Sequence, residues 1–489
     1  MSDETTISEY RCPGEGYPIA RAVHLGRLAR FCPKCRRCLH RHDTHGLSAR
    51  QIRRLGEVAA GRPPQPLFDE DGMAGATPNA IGPEQARRAA VALGLLLQQG
   101  PAEKEALPGF GGERGKTGAT VGLPNRALHT AGQAGHRPEV GRGTHLPCAA
   151  THPRLPAQAA DRRPTVLLGG DDRPWTAACF AAASEGLRWS GCHVVDIGPA
   201  SAPCLADTLQ RLRAAGGLLI HNPSEREHLV GLKFWGPGAQ PLARHDLARV
   251  EQLFHVPPDR PTRVYGSLDR LPAESGYLAH IAPCYHAMRP LQWVLHSACT
   301  PLVGYIRQLS ARVACRVTVV AAAGERLGAQ VLVHGSHFGL HVDGQGESCQ
   351  WFDEAGRAVA AERMFLLMSG DWSIFRPNGV ALANQSLAEN MDLSPLRPEN
   401  RNVILEEDSS PELQRELQAR GFTVVRSGAA RAEMAAAMHT HEAVLGGGPS
   451  GRFWHPKGTV ALPDALMTLT LLLLLLSRND RPLSTVLDA

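Results

Sequence analysis

From residue 164 onward the chain repeats one pattern: a short apolar run fit for a buried strand, then a longer stretch with apolar residues at helical spacing. Thr165-Val166-Leu167-Leu168 predicts a strand, 177–190 an amphipathic helix, 193–197 a second strand, 204–215 a helix and 217–220 a third strand. Strands alternating with helices at this interval predict a parallel α/β sheet, because a parallel connection needs a crossover long enough to hold a helix. The pattern restarts twice. Strands at 292–295 and 316–320 flank a helix at 301–309, and strands at 402–405 and 423–425 flank a helix at 411–420. Three successive units of similar size predict internal repetition of one α/β fold. The length agrees: 489 residues are too many for a single hydrophobic core.

Outside the repeats the chain is less regular. Near the N-terminus stand Cys12, then Cys32, Cys35, Cys38, His40 and His42. Overlapping C-x-x-C spacings with an upstream Cys and a downstream His offer four soft ligands, Cys12, Cys35, Cys38 and His40, for a tetrahedral Zn²⁺. A basic loop that happens to contain thiols is the competing reading. Ile52, Leu55 and Val58 lie at helical spacing and predict a helix over 47–58 that closes this module. Phe68 to Gly75 predicts a turn, and Gly82-Pro83-Glu84-Gln85 a helix start with Pro near its first position, running to about 97. Residues 100–163, rich in Gly, Ala, Pro, Arg and His, show no sustained periodicity. They predict a disordered insert, with a disrupted reading frame as the alternative.

Composition excludes several classes. Charged residues are 20% and hydrophobic ones 43%, an ordinary globular balance, and the net charge is only +5. Of the 52 basic residues five are Lys, an Arg bias that points to a GC-rich coding sequence. No concentrated basic stripe lies beyond the N-terminus, which argues against a nucleic-acid partner. The longest apolar run, 466–476, falls far short of the roughly 20 residues that cross a bilayer and predicts a buried core helix instead. Residues 1–10 are acidic and polar, so no secretory leader is expected. The twelve Cys suggest no disulfide framework, and a reducing cytoplasm is the expected compartment.

Several short strings acquire meaning through their order. Gly169-Gly170-Asp171-Asp172-Arg173 precedes Glu185-Gly186-Leu187, Gly191 and Val195-Asp196-Ile197-Gly198; then follow His221-Asn222-Pro223 and Gly231-Leu232-Lys233-Phe234-Trp235-Gly236. Further on come Asp343-Gly344-Gln345-Gly346-Glu347-Ser348 and Gly446-Gly447-Gly448-Pro449-Ser450-Gly451-Arg452. This succession resembles the α-D-phosphohexomutases: the phosphoglucomutases, phosphomannomutases and phosphoglucosamine mutases. Phe68 to Gly75 resembles that family's opening motif, and the resemblance covers roughly 65–99 and 164–489.

The resemblance implies three successive α/β/α domains with mixed sheets: domain I over 63–255, including the insert, domain II over 256–370 and domain III over 371–489. A small Cys/His-rich module would occupy 1–62, and the family's fourth domain, which clamps the non-transferring phosphate, would have no counterpart. The family moves a phosphoryl group between two hydroxyls of one sugar through a phosphoserine beside Mg²⁺. The family's serine position is Ile220 here, and Ser224, beyond Pro223, could not reach the same point without rebuilding the loop. No catalytic residue is therefore assigned, with His221, Lys233 and Arg173 as remnants. Asp343, Gln345 and Glu347 would make at best a weak Mg²⁺ site, since Gln345 offers only a neutral oxygen. Gly448 replaces the family's sugar-gripping Glu, leaving Ser450, Arg452 and Lys233 as candidate substrate contacts. The resemblance thus implies a non-catalytic homologue that binds a hexose phosphate or a protein partner. An active mutase of carbohydrate metabolism is the alternative.

Overall fold

The computed structural model describes residues 10–11, 16–36, 38, 40–59, 67–77, 80–99, 163–224, 229–258, 260–321, 324–370, 401–457, 460–478 and 480–488. The stretch 100–162, most of the expected insert, lies outside them, as does Cys12.

Three sheets carry the chain. The first contains β1 (Phe68–Asp69), β2 (Gly72–Ala76), β3 (Thr165–Gly170), β4 (His193–Pro199), β5 (Gly216–His221), β6 (Leu229–Trp235) and β7 (Leu268–Arg270), in the order β1-β2-β6-β5-β3-β4-β7. Strands β5, β3, β4 and β7 run parallel, as their intervening helices require. Strands β6, β2 and β1 continue the sheet antiparallel. The stretch 68–75, expected as a turn, is therefore a hairpin docked on β6. Its Gly- and Ala-rich strand has little intrinsic strand preference and takes its form from that pairing.

The second sheet holds β8 (Gln292–Ser297), β9 (Arg316–Val319), β10 (Phe338–Val342), β11 (Cys349–Phe352) and β12 (Ala358–Val359), ordered β12-β11-β10-β8-β9. The third holds β13 (Asn402–Glu406), β14 (Thr423–Ser427), β15 (Leu445–Gly447), β16 (Trp454–Lys457) and β17 (Val460–Pro463), ordered β14-β13-β15-β16-β17. Both follow the scheme of the first, with a parallel trio in place of its four parallel strands, joined to antiparallel strands on one side.

Alternation along the strands of the first sheet feeds two cores. Val166, Leu168, Leu218, Ile220, Val230 and Leu232 face the helices Pro83–Gln98 and Pro174–Trp189. Leu167 and Leu219 face the opposite way, into a larger core shared with Trp293, Trp351, Phe365, Leu405 and the Ala465–Ser477 helix. That helix realises the buried reading of the 466–476 run. Asp464 caps it by accepting the N–H groups of Leu466 and Met467 at 3.0 Å each, and the Thr468 and Thr470 hydroxyls donate to carbonyls one turn back. Among the described residues no helix is long and apolar enough to cross a membrane.

Candidate functional site

Strand β5 does not stop where the resemblance puts a catalytic loop. Ile220 pairs with Gly170 on one side and Leu232 on the other, and His221 still pairs with Gly231. The Ile220 side chain is fully buried among the aliphatic residues of the smaller core. Because side chains alternate, His221 emerges on the other face, together with Lys233, the partner of Leu219. A Cβ at Gly231 would sit 2.7 Å from the His221 Cε1 and Nε2, so only glycine lets the imidazole lie across the strand pair. Ser224 donates its N–H to the Asn222 side chain at 3.1 Å, and its hydroxyl is buried without a hydrogen-bond partner.

The 343–348 loop comes in from the second sheet. Asp343 Oδ1 accepts the N–H groups of Gln345 at 3.1 Å, Gly346 at 2.7 Å and Glu347 at 2.9 Å, and Oδ2 accepts the Ser348 hydroxyl at 3.0 Å. The loop is pinned to its neighbours by main-chain bonds: Ala202 N–H donates to the Gln345 carbonyl at 2.9 Å, Ala465 N–H to that of Gly346 at 3.1 Å. Glu347, one of the expected metal ligands, turns away from Asp343. Its Oε2 lies 2.5 Å from Lys233 Nζ and its Oε1 3.3 Å from an Arg431 guanidinium nitrogen, with all three side chains at most 3% exposed. The Arg431 guanidinium also stacks over the Trp235 ring, 4.7 Å from its centre.

The third sheet adds the 446–452 loop. Ser450 donates its N–H to Glu406 Oε2 at 3.0 Å and its hydroxyl to Glu406 Oε1. A Cβ at Gly448 would lie 2.7 Å from both the Cβ and Oε2 of Glu406, so the Glu406 side chain fills the space beside that glycine. Arg452 Nη2 reaches back to Asp71 Oδ2 at 2.7 Å, in the β1–β2 hairpin of the first sheet. Lys233, Glu347, Arg431, Asp71 and Arg452 thus come from all three sheets and perturb one another. Burial raises the Asp71 carboxyl, but Lys233, Arg452 and Arg431 outweigh it and hold the group at about 2. Glu347 is likewise lowered: burial opposes ionisation, and Arg431 and Lys233 overcome it. Burial, with Arg431 beside it, pulls Lys233 down. His221 is lowered to about 3, by burial first and then by the Lys233 charge, so it is neutral here.

The predicted residues are therefore only partly brought together. Lys233 and Arg452 belong to one cluster, and Ser450 sits on the Arg452 loop, held by Glu406. Arg173 is committed elsewhere, to Asp171 Oδ2 at 2.7 Å and the Leu229 carbonyl at 2.9 Å. Asp343, Gln345 and Glu347 do not form a common Mg²⁺ ligand set: Asp343 is saturated by its own loop, Glu347 is spent on cations, and the Gln345 side-chain oxygen is buried without a hydrogen bond. Of the expected Zn²⁺ quartet, Cys12 lies outside the described residues. Cys35 and Cys38 are buried with Tyr10, Ile19 and Leu28, whereas the His40 ring packs edge-on against Tyr10 at 4.5 Å. Among the described residues no group of three or more His, Cys, Asp or Glu could hold a metal ion. Sequence reasoning missed Asp71, Glu406 and Arg431. Only Asp71 had a signal, its place in the opening motif.

Comparison with known proteins adds the following. Residues 129–257 match the family described as phosphoglucomutase/phosphomannomutase, alpha/beta/alpha domain I. That match begins inside the stretch expected to lie outside the resemblance. The phosphoglucosamine mutase of Clavibacter sepedonicus is 27% identical over 233 residues, 44% of this chain and 51% of that one. The phosphoglucosamine mutase of Renibacterium salmoninarum is 26% identical over 231 residues, 43% of this chain and 51% of that one. The chain thus spans about half the length of the curated relatives it matches. In fold it is similar to a phosphoglucomutase/phosphomannomutase family protein from Burkholderia thailandensis, with a TM-score of 0.61 at 14% identity, covering 85% of this chain and 78% of that one.

Proposed function

We propose, from the similarity of residues 129–257 to domain I of the phosphoglucomutase/phosphomannomutase family and of the chain to phosphoglucosamine mutases, that it is a non-catalytic α-D-phosphohexomutase homologue that binds a phosphorylated hexose where its three sheets meet. The observation that carries this reading is Ile220. Mutase chemistry needs an oxygen nucleophile to form a new P–O bond and later release it. An aliphatic side chain has no lone pair to offer, and this one points into a hydrocarbon core, on the face opposite Lys233 and His221. Replacing it by a hydroxyl would not present that hydroxyl to a substrate.

The general acid and base side is equally thin. A proton-transfer group works best with a pKa near the working pH, and His221, held at about 3 by burial and Lys233, stays neutral. What supports binding is the basic and hydroxyl-bearing rim, Arg452 and the exposed Ser450, which sits on a loop fixed from below by Glu406. A phosphate monoester offers the oxygens such groups recognise. Among the described residues no group of donors fits the family's Mg²⁺.

Two measurements on the full chain test the reading. With Mg²⁺, a hexose 1-phosphate and a bisphosphorylated hexose activator, no 6-phosphate should form above a protein-free blank; steady turnover would overturn the non-catalytic assignment. Calorimetry with glucose, mannose and glucosamine phosphates should show saturable binding to at least one of them. Silence across the panel would remove the sugar-phosphate assignment.

A further inference from the structure

The residues at the junction form a charge system that is complete without a bound ion. Three cations, Lys233, Arg431 and Arg452, face the carboxylates Glu347 and Asp71, and the Asp343 charge also acts on Arg452. Asp343 and Glu347, the two carboxylates expected to serve a divalent cation, are engaged with the protein. Mg²⁺ needs near-octahedral oxygen ligands at about 2.1 Å, and Asp343 already accepts three N–H groups and a hydroxyl. The Glu347 carboxylate, meanwhile, sits between an ammonium and a guanidinium, where a phosphate oxygen would otherwise find its partners. Its fit is incomplete: Glu347 Oε1 and Arg431 Nε are both buried without a hydrogen bond, as is the nearby His221 Nδ1. Buried charges with unmet hydrogen bonds carry a standing desolvation cost. A ligand with more acceptor oxygens can relieve that cost.

We infer that the Lys233–Glu347–Arg431 cluster takes the place of the divalent cation at this junction, and that the Glu347 carboxylate is a resident anion which an incoming phosphate group displaces. The exchange involves no bond chemistry. Glu347 swings off its two cations, and the non-bridging oxygens of a phosphate monoester take them over, with Arg452 at the margin. Binding at this junction is therefore independent of Mg²⁺ and self-limited by an internal competitor. The ligand half of this inference rests on the proposed function; the metal half does not.

The metal half is tested on the unaltered full chain with Mn²⁺ alone, free ion being followed by electron paramagnetic resonance. No saturable site is expected up to about 1 mM. A site of one ion per chain that disappears in Asp343→Asn would overturn the inference. The displacement half is tested with inorganic phosphate, in EDTA, by calorimetry and thermal shift. Glu347→Gln removes the resident charge and keeps the shape, and phosphate affinity should rise by about tenfold or more. Should that variant fail to fold, Glu347→Asp, whose shorter side chain draws back from Lys233, should show a smaller rise in the same direction. An unchanged or weaker phosphate affinity in the folded variant would overturn displacement. If inorganic phosphate gains affinity but no hexose phosphate binds better than phosphate itself, the cluster stands and the sugar-phosphate assignment fails.

Discussion

A buried aliphatic residue can be tested by giving it the chemistry it lacks. Ile220→Ser puts a hydroxyl at the position that the resemblance assigns to the family's serine, yet the side chain faces the smaller core and would find no hydrogen-bond partner there. Cavity formation and an unsatisfied hydroxyl together should cost about 3 kcal/mol in urea denaturation. Intact-mass analysis after incubation with a bisphosphorylated hexose should show no added phosphate. A phosphorylated Ile220→Ser would mean that the strand end can open into a catalytic loop. A second residue-scale outcome concerns pH. His221 and His455 are both buried and both lowered to about 3 from an ordinary value of 6.5. Since the folded pKa is the lower one, the unfolded chain binds more protons between these values. Stability is then fully present above about pH 6.5 and falls as acid is added, by up to about 1.4 kcal/mol per pH unit for each histidine. His221→Gln should remove about half of the slope that the two produce between pH 6 and 4, as read by denaturant titration at each pH. An unaltered slope would show that the imidazole is not held neutral. At this scale the sequence was legible where a side chain's place follows from its own strand, as at Ile220, which lies buried in the strand expected at 217–220. It was silent on Arg431 and Glu406, because neither lies in a motif and each acquires meaning only through a partner dozens of residues away. Glu347 was visible, as a metal ligand implied by the resemblance, and only the fold places Lys233 within its reach.

At the scale of elements, the strand–turn–strand unit β5–β6 decides what the site can be. Its strands pair through His221 and Gly231, which carries the strand expected at 217–220 one residue further and keeps Ile220 turned inward. The pairing depends on one missing Cβ. Gly231→Ala would drive a methyl group to within 2.7 Å of the His221 ring and should destabilise the chain by about 1–3 kcal/mol. In a His221→Ala background the same substitution should cost almost nothing, so a double-mutant cycle should return a coupling of about the whole single-mutant effect. Additive costs would show that the imidazole does not lie over the strand pair. Most elements were legible because apolar periodicity is a local property: the strand expected at 402–405 is Asn402–Glu406, and the helix expected at 411–420 is Pro411–Ala419. The β1–β2 hairpin was not. Its strand Gly72–Ala76 carries no β-branched residue, and the register that makes it a strand is set by β6, more than 150 residues away.

For the whole molecule the question is what the five-residue charge cluster does for the union of the three sheets. Part of the parallel half of each sheet was foreseeable from its own repeat, but the junction of the sheets was not, since no local pattern says which loop ends meet. A buried ion pair is weak evidence for stability, because desolvation can cancel the attraction, yet breaking one leaves a costly unpaired charge. The two cases separate experimentally. Lys233→Met leaves Glu347 facing Arg431 alone and should cost about 3–5 kcal/mol. The triple variant Lys233→Met, Glu347→Met, Arg431→Met removes charge in matched fashion, adds apolar contact beside Trp235, and should recover most of that loss. If the triple variant is as unstable as the single one, the cluster contributes net stabilisation and the sheets are held together electrostatically. If it recovers while losing phosphate binding, the cluster is kept for the ligand rather than for the fold. The second outcome is expected, because the unmet hydrogen bonds at Glu347 Oε1 and Arg431 Nε are what a cluster serving stability alone would have satisfied.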